Sequence, residues 1–328
     1  MTPGAPVPRI FVTQPISEPA LARLRAIGQV EVNPDSRHIL TATELQAAVA
    51  RNEFLVCLMN DRVDAEVIAA NPGLRLIASM AIVPTAIDVG CATARGIPVT
   101  VIPPLVTEAT ADLTWGLLLA VARRIPEADR LVRAGVFPGA QSMHLLGAEV
   151  HGQTLGIVGL GRVGRAIARR ARGFGMRILY ADPVRGSRAE DAALEVSYRT
   201  LDQLLAELDF VCVSVALTAE TVHLIGPRQL EQMRPSAYLV NTSRGPVVDE
   251  AALAEALIGG RIAGAALDVY EREPLVEPRL LALPTVVLTP HIGSAAASTR
   301  TRIAHIVVDN VIAVTEGRRP PNLYNVDI

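Results

Sequence analysis

An apolar segment that runs directly into a glycine-rich turn constrains the fold of this chain more than any other feature. Residues 155–158 are apolar, and glycines follow at 159, 161 and 164 before a stretch with helical composition. This order predicts a buried strand, a turn with the spacing G-x-G-x-x-G, and a helix. Gly159 would permit the tight turn, Gly161 the close approach of a pyrophosphate, and Gly164 close packing of the helix on the strand.

A second apolar segment supports a nucleotide-binding interpretation. Residues 177–181 follow the helix and end in Asp182, at the distance where a carboxylate meets the adenine ribose hydroxyls. We therefore predict a dinucleotide site, and the alternative is a glycine-rich turn that binds nothing. Asp182 would repel a 2′-phosphate, which favours NAD. Arg185 and Arg188 follow closely and could partly accommodate that phosphate, so NADP is the less favoured cofactor.

Composition excludes several classes of protein. The 328 residues suit two domains, half of them are hydrophobic, and a net charge of −2 with scattered arginines predicts no nucleic-acid partner. No apolar run approaches the roughly 20 residues of a membrane span, and residues 1–8 lack the pattern of a signal peptide. Cys57, Cys91 and Cys212 lie in or beside apolar stretches without metal-type spacing, which predicts buried reduced thiols, no metal site and a cytoplasmic location.

Short apolar strands alternate with helical patterns along the chain, which predicts α/β architecture with parallel sheets. The predicted strands outside the glycine unit are 9–12, 30–32, 54–58, 76–78, 99–101, 210–215, 238–241, 262–267 and 286–288. The predicted helices are one from Ser17, a plausible N-cap, and those at 43–51, 64–70, 107–124, 250–259 and 296–316. The apolar surface of 107–124 is wider than one stripe and must be covered, with a second subunit as one candidate.

Four polar residues follow predicted strands at the edge where parallel sheets bind ligands. They are Arg244, Asp268, Glu273 and His291. A guanidinium can grip a carboxylate or carbonyl oxygen, and a protonated imidazole can supply a proton when hydride attack charges that oxygen. A neighbouring carboxylate favours the charged imidazole. The chain has no lysine, so any cationic role falls to Arg or His. The set suits reduction of a 2-keto acid.

Each of these residues has a simpler alternative. Arg244 could pair with Asp249, Glu273 could be a solvated carboxylate beside Arg272, and His291 could be a rim histidine. Their shared position behind successive strands favours catalysis. The remaining histidines are expected to be structural or solvated: His38, His144, His151, His223 and His305.

Four segments resemble the D-isomer-specific 2-hydroxyacid dehydrogenase family: 159–164, 240–250, 266–275 and 289–294. Segment 107–112 is most similar to the glyoxylate/hydroxypyruvate reductase branch. The resemblance implies two Rossmann-like or flavodoxin-like doubly wound parallel-sheet domains with a cleft between them. A substrate domain would comprise 1–102 with 297–328, and an NAD-binding domain 103–296. The resemblance also implies a homodimer built on the nucleotide domains, with the helix 107–124 taking part. It implies a catalytic trio of Arg244, Glu273 and His291. The expected cofactor contacts are Gly159, Gly161, Arg162, Val163, Gly164, Asp182, Val215, Thr242, Asp268 and Thr110.

The chain departs from the family pattern in the loop 79–88. Family members usually carry a glycine, an aromatic and an acid there, and backbone N–H groups hold the substrate carboxylate. Here Val83 replaces the glycine, and Pro84 removes a donor and fixes φ. The N–H groups of Ile82 and Val83 remain. We predict a substrate range altered from that for glyoxylate or hydroxypyruvate.

The alternative function from another class is a nucleotide-sensing binding protein, as in the related C-terminal-binding-protein corepressors. The intact Arg–Glu–His trio favours an enzyme. Formate dehydrogenases of this fold pair their His with Gln, whereas this chain has Glu273. Phosphite dehydrogenase carries a lysine in the 79–88 loop, which this chain lacks.

Overall fold

The computed structural model describes residues 7–326 and 328. These residues separate into two compact units, one within Met1–Leu105 and Ala295–Ile328 and the other comprising Val106–Ser294. Each unit contains one sheet whose strands pair in parallel. The alternation of strands and helices in the sequence therefore predicts the fold class correctly.

Apart from β8, which was not predicted, the strands of the described residues lie close to the positions predicted from apolar runs. They are β1 Arg9–Val12, β2 Gln29–Val32, β3 Phe54–Cys57, β4 Leu76–Ser79, β5 Val99–Thr100, β6 Thr154–Val158, β7 Arg177–Ala181, β8 Val196–Tyr198, β9 Phe210–Val213, β10 Tyr238–Asn241, β11 Gly264–Leu267 and β12 Val286–Leu288. Most of the central strands are buried along their whole length, as expected of parallel strands covered on both faces.

The helices lie between successive strands, except α13, which follows the last strand. They are α1 Glu18–Arg25, α2 Ala42–Arg51, α3 Ala65–Ala69, α4 Val89–Ala94, α5 Thr107–Ala122, α6 Ile125–Arg133, α7 Arg162–Ala171, α8 Arg188–Leu194, α9 Leu201–Glu207, α10 Pro227–Gln232, α11 Glu250–Ile258, α12 Pro278–Leu281 and α13 Ala297–Thr315. Short 3₁₀ turns occur at 172–174, 219–221 and 245–247.

The strand order places the glycine turn at the strand from which the chain builds the second sheet first in one direction and then in the other. The first sheet has the order β2-β1-β3-β4-β5, and the second has β12-β11-β10-β9-β6-β7-β8. In the second sheet the chain starts at β6, moves outward to β8, and then returns to β9 on the other side of β6. Ligands of such sheets bind beyond the carboxyl ends of the strands at this switch point.

Two local details differ from the sequence prediction. Ser17 stands at the N-cap position of α1, but its hydroxyl makes no capping hydrogen bond and is buried without a partner among the residues that the structure describes. Helix α1 begins with Pro19 in its first turn, where the missing N–H costs nothing. The helix predicted at 250–259 was expected to be closed by its last residue, Gly259. Gly259 instead stays right-handed, and Gly260 adopts the left-handed conformation, with φ +64°.

The long apolar helix α5 is covered mainly by its own unit. Leu117, Leu118 and Val121 are buried in a core shared with β6 and α7. The indole N–H of Trp115 donates to the carbonyl oxygen of Ile167 in α7 at 3.2 Å. The width of the apolar surface of α5 therefore needs no second subunit to explain it.

Candidate active site

The glycine turn between β6 and α7 needs its glycines for different reasons. Gly159 has φ +94°, and a Cβ there would lie 2.8 Å from the side chain of Val215. A Cβ on Gly164 would lie 2.2 Å from the carbonyl oxygen of Gly159, so the helix could not approach the strand. A Cβ on Gly161 would meet no atom within 4 Å, so this side of the turn has room for a ligand. Arg162 and Val163 open α7, where helix N–H groups have no helical acceptor.

Asp182 connects this turn to the end of β7. Its Oδ2 accepts a hydrogen bond from the N–H of Leu160 at 2.8 Å, and its Oδ1 accepts one from the N–H of Val184 at 2.9 Å. The carboxylate is thereby held at the edge of the turn with further acceptor capacity on both oxygens. The guanidinium of Arg185 lies over the ring of Tyr198, 5.1 Å from its centroid. These residues fit a nucleotide, because the turn can hold phosphates and the fixed carboxylate of Asp182 lies beside it.

Ser214, just beyond β9, was not identified from the sequence. Its hydroxyl donates to the carbonyl oxygen of Gly159 at 2.5 Å and so fixes the turn from the neighbouring strand. No sequence motif marks this serine, although its position one residue before Val215 at a strand end is a usable signal.

A buried chain of threonines connects α5 with the strand ends. The hydroxyls of Thr114 and Thr242 lie 2.7 Å apart, and Thr114 donates to the carbonyl oxygen of Thr110 at 2.8 Å. Thr110 in turn donates to the carbonyl oxygen of Gly293 at 3.3 Å. Two residues expected to contact the cofactor, Thr110 and Thr242, are thus parts of one network, which the sequence did not reveal because Thr114 supplies the connection.

Two of the three candidate catalytic residues are in direct contact in the second unit. Nδ1 of His291 lies 2.8 Å from Oε2 of Glu273, and both side chains are about a quarter exposed (25% and 26%). Oε1 of Glu273 accepts the N–H of Tyr270 at 3.0 Å. Arg244 is exposed at the end of β10, and its guanidinium donates to the carbonyl oxygen of Ser243 at 2.7 Å. Asp249 does not pair with Arg244, because it caps α11 through the N–H of Ala252.

Opposing effects act on the pKa of Glu273. Burial raises it, whereas the hydrogen bond and charge of His291, the N–H of Tyr270 and the charge of Arg244 lower it. Together, these effects leave the pKa of Glu273 below its usual value of 4.5. Glu273 is therefore a carboxylate at neutral pH, which favours a charged imidazole on His291 and fixes its ring.

Asp268 organises the turn that carries His291. His291 has a left-handed backbone, with φ +53°. Oδ1 of Asp268 accepts from the hydroxyl of Thr289 at 2.7 Å and the N–H of Ile292 at 2.8 Å, and Oδ2 accepts from the N–H of Gly293 at 2.8 Å. Burial raises the pKa of Asp268, while these donors and the charge of His291 lower it, and the pKa stays above its usual value. The sequence identified Asp268 as a cofactor contact but not as the residue that forms this turn.

Tyr270 and Gly245 hold the strand ends together. The hydroxyl of Tyr270 donates to the carbonyl oxygen of Thr289 at 2.9 Å, two residues before His291. A Cβ on Gly245 would lie 1.8 Å from the carbonyl carbon and oxygen of Tyr270. The segment of Arg244 thus packs directly on the backbone that leads to Glu273. Neither contact can be read from the sequence, because each joins residues from different strand ends.

The remaining polar candidates lie outside this cluster. His38 bonds to Glu44, His305 to Arg23, and His223 to Glu271. Cys57 and Cys212 are buried, and burial raises the pKa of the Cys212 thiol to about 12. Cys91, expected to be buried, is only half-buried. Within residues 7–326 and 328, no group of acidic, histidine and cysteine side chains could hold a metal ion, and no helix is long and apolar enough to cross a membrane.

The loop predicted to bind substrate follows β4 in the first unit. The N–H of Ala81 donates to the hydroxyl of Ser79 at 3.1 Å. Neither Ile82 nor Val83 has a backbone N–H bonded to any residue that the structure describes. The side chain of Val83 is 47% exposed, and Pro84 is buried. The loop therefore offers two free donors beside an exposed branched side chain.

Comparisons with known proteins identify the family. The NAD-binding domain of D-isomer-specific 2-hydroxyacid dehydrogenases matches residues 115–293. The glyoxylate reductase of Korarchaeum cryptofilum is 48% identical over 98% of this chain and 97% of its own length. The crystal structure of the TT0316 protein from Thermus thermophilus is 43% identical, with a TM-score of 0.88 over 96% of this chain and 99% of its own. An NADPH-dependent glyoxylate/hydroxypyruvate reductase from Sinorhizobium meliloti, solved with NADP and malonate, is 33% identical, with a TM-score of 0.75 over 98% of this chain and 97% of its own.

The chain belongs to the D-isomer-specific 2-hydroxyacid dehydrogenase family, in its glyoxylate reductase branch. It is an oxidoreductase that interconverts 2-keto acids and 2-hydroxy acids with a nicotinamide dinucleotide. The resemblance drawn from the four sequence segments is thereby confirmed.

Proposed function

We propose that His291 is the proton donor in 2-keto acid reduction, that Glu273 orients and charges it, and that Arg244 holds the substrate. The observation that carries the proposal is the 2.8 Å contact between Nδ1 of His291 and Oε2 of Glu273. This contact leaves Nε2 of His291 to exchange a proton with the substrate oxygen. The bound nicotinamide supplies the hydride. In the opposite direction, neutral His291 takes the hydroxyl proton.

We propose that Asp182 selects NAD over NADP. Its carboxylate is fixed by two backbone N–H groups and is placed to bind ribose hydroxyls and repel a 2′-phosphate. The guanidinium of Arg185 lies against Tyr198. The turn residues Gly159, Gly161, Arg162, Val163 and Gly164 would hold the pyrophosphate. Val215, Thr242, Asp268 and Thr110 would line the rest of the cofactor site.

The roles of 103–296 as the cofactor domain and of 1–102 with 297–328 as the substrate domain belong to the same proposal.

Replacing Asp182 by alanine tests the cofactor assignment. We expect the ratio of kcat/KM for NADPH to that for NADH to rise by about tenfold or more, because a charge repulsion is removed. Arg37→Ala, an exposed arginine of the first unit, is the matched control and should leave the ratio unchanged. A native enzyme that prefers NADPH would contradict the proposal.

We propose that the free N–H groups of Ile82 and Val83 bind the substrate carboxylate, and that Val83 shifts the substrate range. The relative from Korarchaeum cryptofilum is a glyoxylate reductase, but in this chain an exposed valine fills space that the family leaves to glycine. A panel of 2-keto acids with increasing side-chain size, each with NADH and NADPH, measures the range. Glyoxylate turnover at the level of the larger acids or above would refute an altered range.

We propose a homodimer formed through residues 125–146. No residue of α6 is buried, and this region exposes large apolar side chains. They are Ile125, Val132, Val136, Phe137, Met143 and Leu146. Exposed apolar groups at this density mark association surfaces.

A cytoplasmic location, suggested by the unpaired cysteines, stays a prediction.

Turnover separates the enzyme from the corepressor alternative. The comparisons favour the enzyme. Consumption of NADH in the presence of a 2-keto acid, followed by absorbance, is the direct test. Binding of NADH without consumption across the whole panel would favour the alternative.

A further inference from the structure

A buried glutamate behind the proposed catalytic cluster has no role in the chemistry described above. Glu250, the first residue of α11, is only 6% exposed. Its Oε1 accepts the N–H of Glu271 at 2.5 Å, and its Oε2 accepts the N–H of Glu277 at 3.3 Å. The two donors flank Glu273 on both sides along the chain. One carboxylate therefore holds both ends of the segment 271–277.

The contact with Glu271 is reciprocal. The side chain of Glu271 accepts the N–H of Glu250 at 2.9 Å and lies 3.1 Å from Nε2 of His223. Each glutamate side chain thus bonds to the backbone of the other. Because the N-terminus of a helix leaves its first N–H groups without partners, Glu271 also satisfies a donor of α11. The pair fixes the segment of Glu273 to a rigid helix.

We propose that Glu250 is a positioning residue that acts through the segment 271–277 to aim Glu273 at His291. This rests on the proposed role of His291. A carboxylate is required because both of its oxygens accept backbone donors. Glutamine has the same shape but only one acceptor, and its NH₂ would face an N–H group. Burying Glu250 is costly, since desolvation raises its pKa, and a purely apolar helix start would avoid that cost.

Replacement of Glu250 by glutamine tests the proposal. We expect kcat for 2-keto acid reduction to fall by about tenfold or more, because the proton donor His291 and its orienting carboxylate are misaligned. KM and the Kd for NADH should change by less than about threefold, since the nucleotide turn is untouched. The Nδ1 proton of His291, observed by NMR in the NADH complex, should lose its downfield position. Glu255→Gln, on the same helix but with its side chain 74% exposed, is the control and should show none of these effects.

Three further outcomes make the result decisive. If the Gln variant does not fold, Glu271→Ala removes the reciprocal contact at a side chain that is 25% exposed, and should give the same loss of kcat and of the downfield proton. A native kcat and an unshifted Nδ1 proton in a folded variant would overturn the proposal. If His291→Ala retains turnover, the proton-donor role fails. Even then, the Nδ1 resonance of His291, compared between the native protein and Glu250→Gln, reports whether Glu250 positions Glu273.

Discussion

At the scale of single residues, His291 combines a strained backbone with a strong local restraint. A residue other than glycine in the left-handed region costs about 1 kcal/mol or more, and such strain persists only where the surroundings enforce it. Asp268 enforces it with a carboxylate that accepts from Thr289, Ile292 and Gly293, and its backbone carbonyl accepts the N–H of His291 at 2.9 Å. The turn, and not the rotamer preference alone, therefore directs the imidazole of His291 toward Glu273.

Replacing His291 by alanine should abolish keto-acid reduction without loss of cofactor binding. We expect kcat to fall by about 100-fold or more, because general acid catalysis typically contributes a factor of that size. NADH binding, measured by fluorescence titration, should be unchanged. His144→Ala is the matched control, since His144 is exposed in a loop. Turnover close to native in the His291 variant would contradict the proton-donor role.

The lowered pKa of Glu273 predicts a pH dependence of stability. Because the folded pKa lies below 4.5, this group stabilises the fold fully above that value and loses its contribution as pH falls through the lowered pKa. Glu273→Gln should therefore lose less free energy of unfolding than the native protein between about pH 5 and about pH 3. Urea unfolding followed by circular dichroism measures this difference. Glu255→Gln should follow the native profile, and an identical acid dependence in Glu273→Gln would exclude the effect.

At the scale of elements, the site depends on how closely the ends of neighbouring strands pack. Strands β10, β11 and β12 are adjacent and parallel, so their carboxyl ends present Arg244, Asp268 and His291 at one edge. The distance between the first two ends is set by Gly245, which contacts the backbone of Tyr270. The helix α11 then fixes the segment of Glu273 through Glu250.

Gly245→Ala should disrupt this packing. The added methyl group would lie 1.8 Å from backbone atoms, which cannot move as a flexible side chain can. We expect a loss of stability of about 1–3 kcal/mol and a loss of kcat of about tenfold or more. Gly173→Ala is the control, because a Cβ there meets no atom within 4 Å. Stability and activity equal to those of the control would show that the segments can separate without consequence.

At the scale of the whole molecule, residues 125–146 carry a group of apolar side chains that their own unit leaves exposed. Helix α5 packs inside the second unit, whereas Phe137 and Met143 are 76% and 77% exposed. The proposed dimer surface therefore comprises the helix and loop that follow α5, whereas the sequence predicted that α5 takes part. The sequence did not distinguish the two because both segments are rich in leucine and valine.

The double variant Phe137→Glu with Met143→Glu should dissociate the proposed dimer. Two charges in a desolvated interface are unfavourable, whereas they are well solvated in a monomer. Sedimentation velocity should show a dimer for the native protein and a monomer for the variant. Leu281→Glu, at a site that is 63% exposed in α12, should remain dimeric. A monomeric native protein would exclude the proposal.

The sequence by itself determined the α/β class, the glycine turn and the residues that gather at the sheet edge. These features follow from local rules: glycine alone tolerates the turn at Gly159, and parallel strands place all their carboxyl ends on one side. Spacing was therefore sufficient to select Glu273 and His291, which are in contact, and Arg244, whose charge acts on Glu273, although their catalytic roles stay proposals.

Only the tertiary structure decided how those residues are held. The carboxylate of Asp268 under His291, the contact of Gly245 with Tyr270, the threonine chain and the pair of Glu250 with Glu271 each join residues from different strands or helices. Such contacts leave no periodic pattern in the chain. They arise when packing brings buried donors and acceptors together, because each must then find a partner away from water.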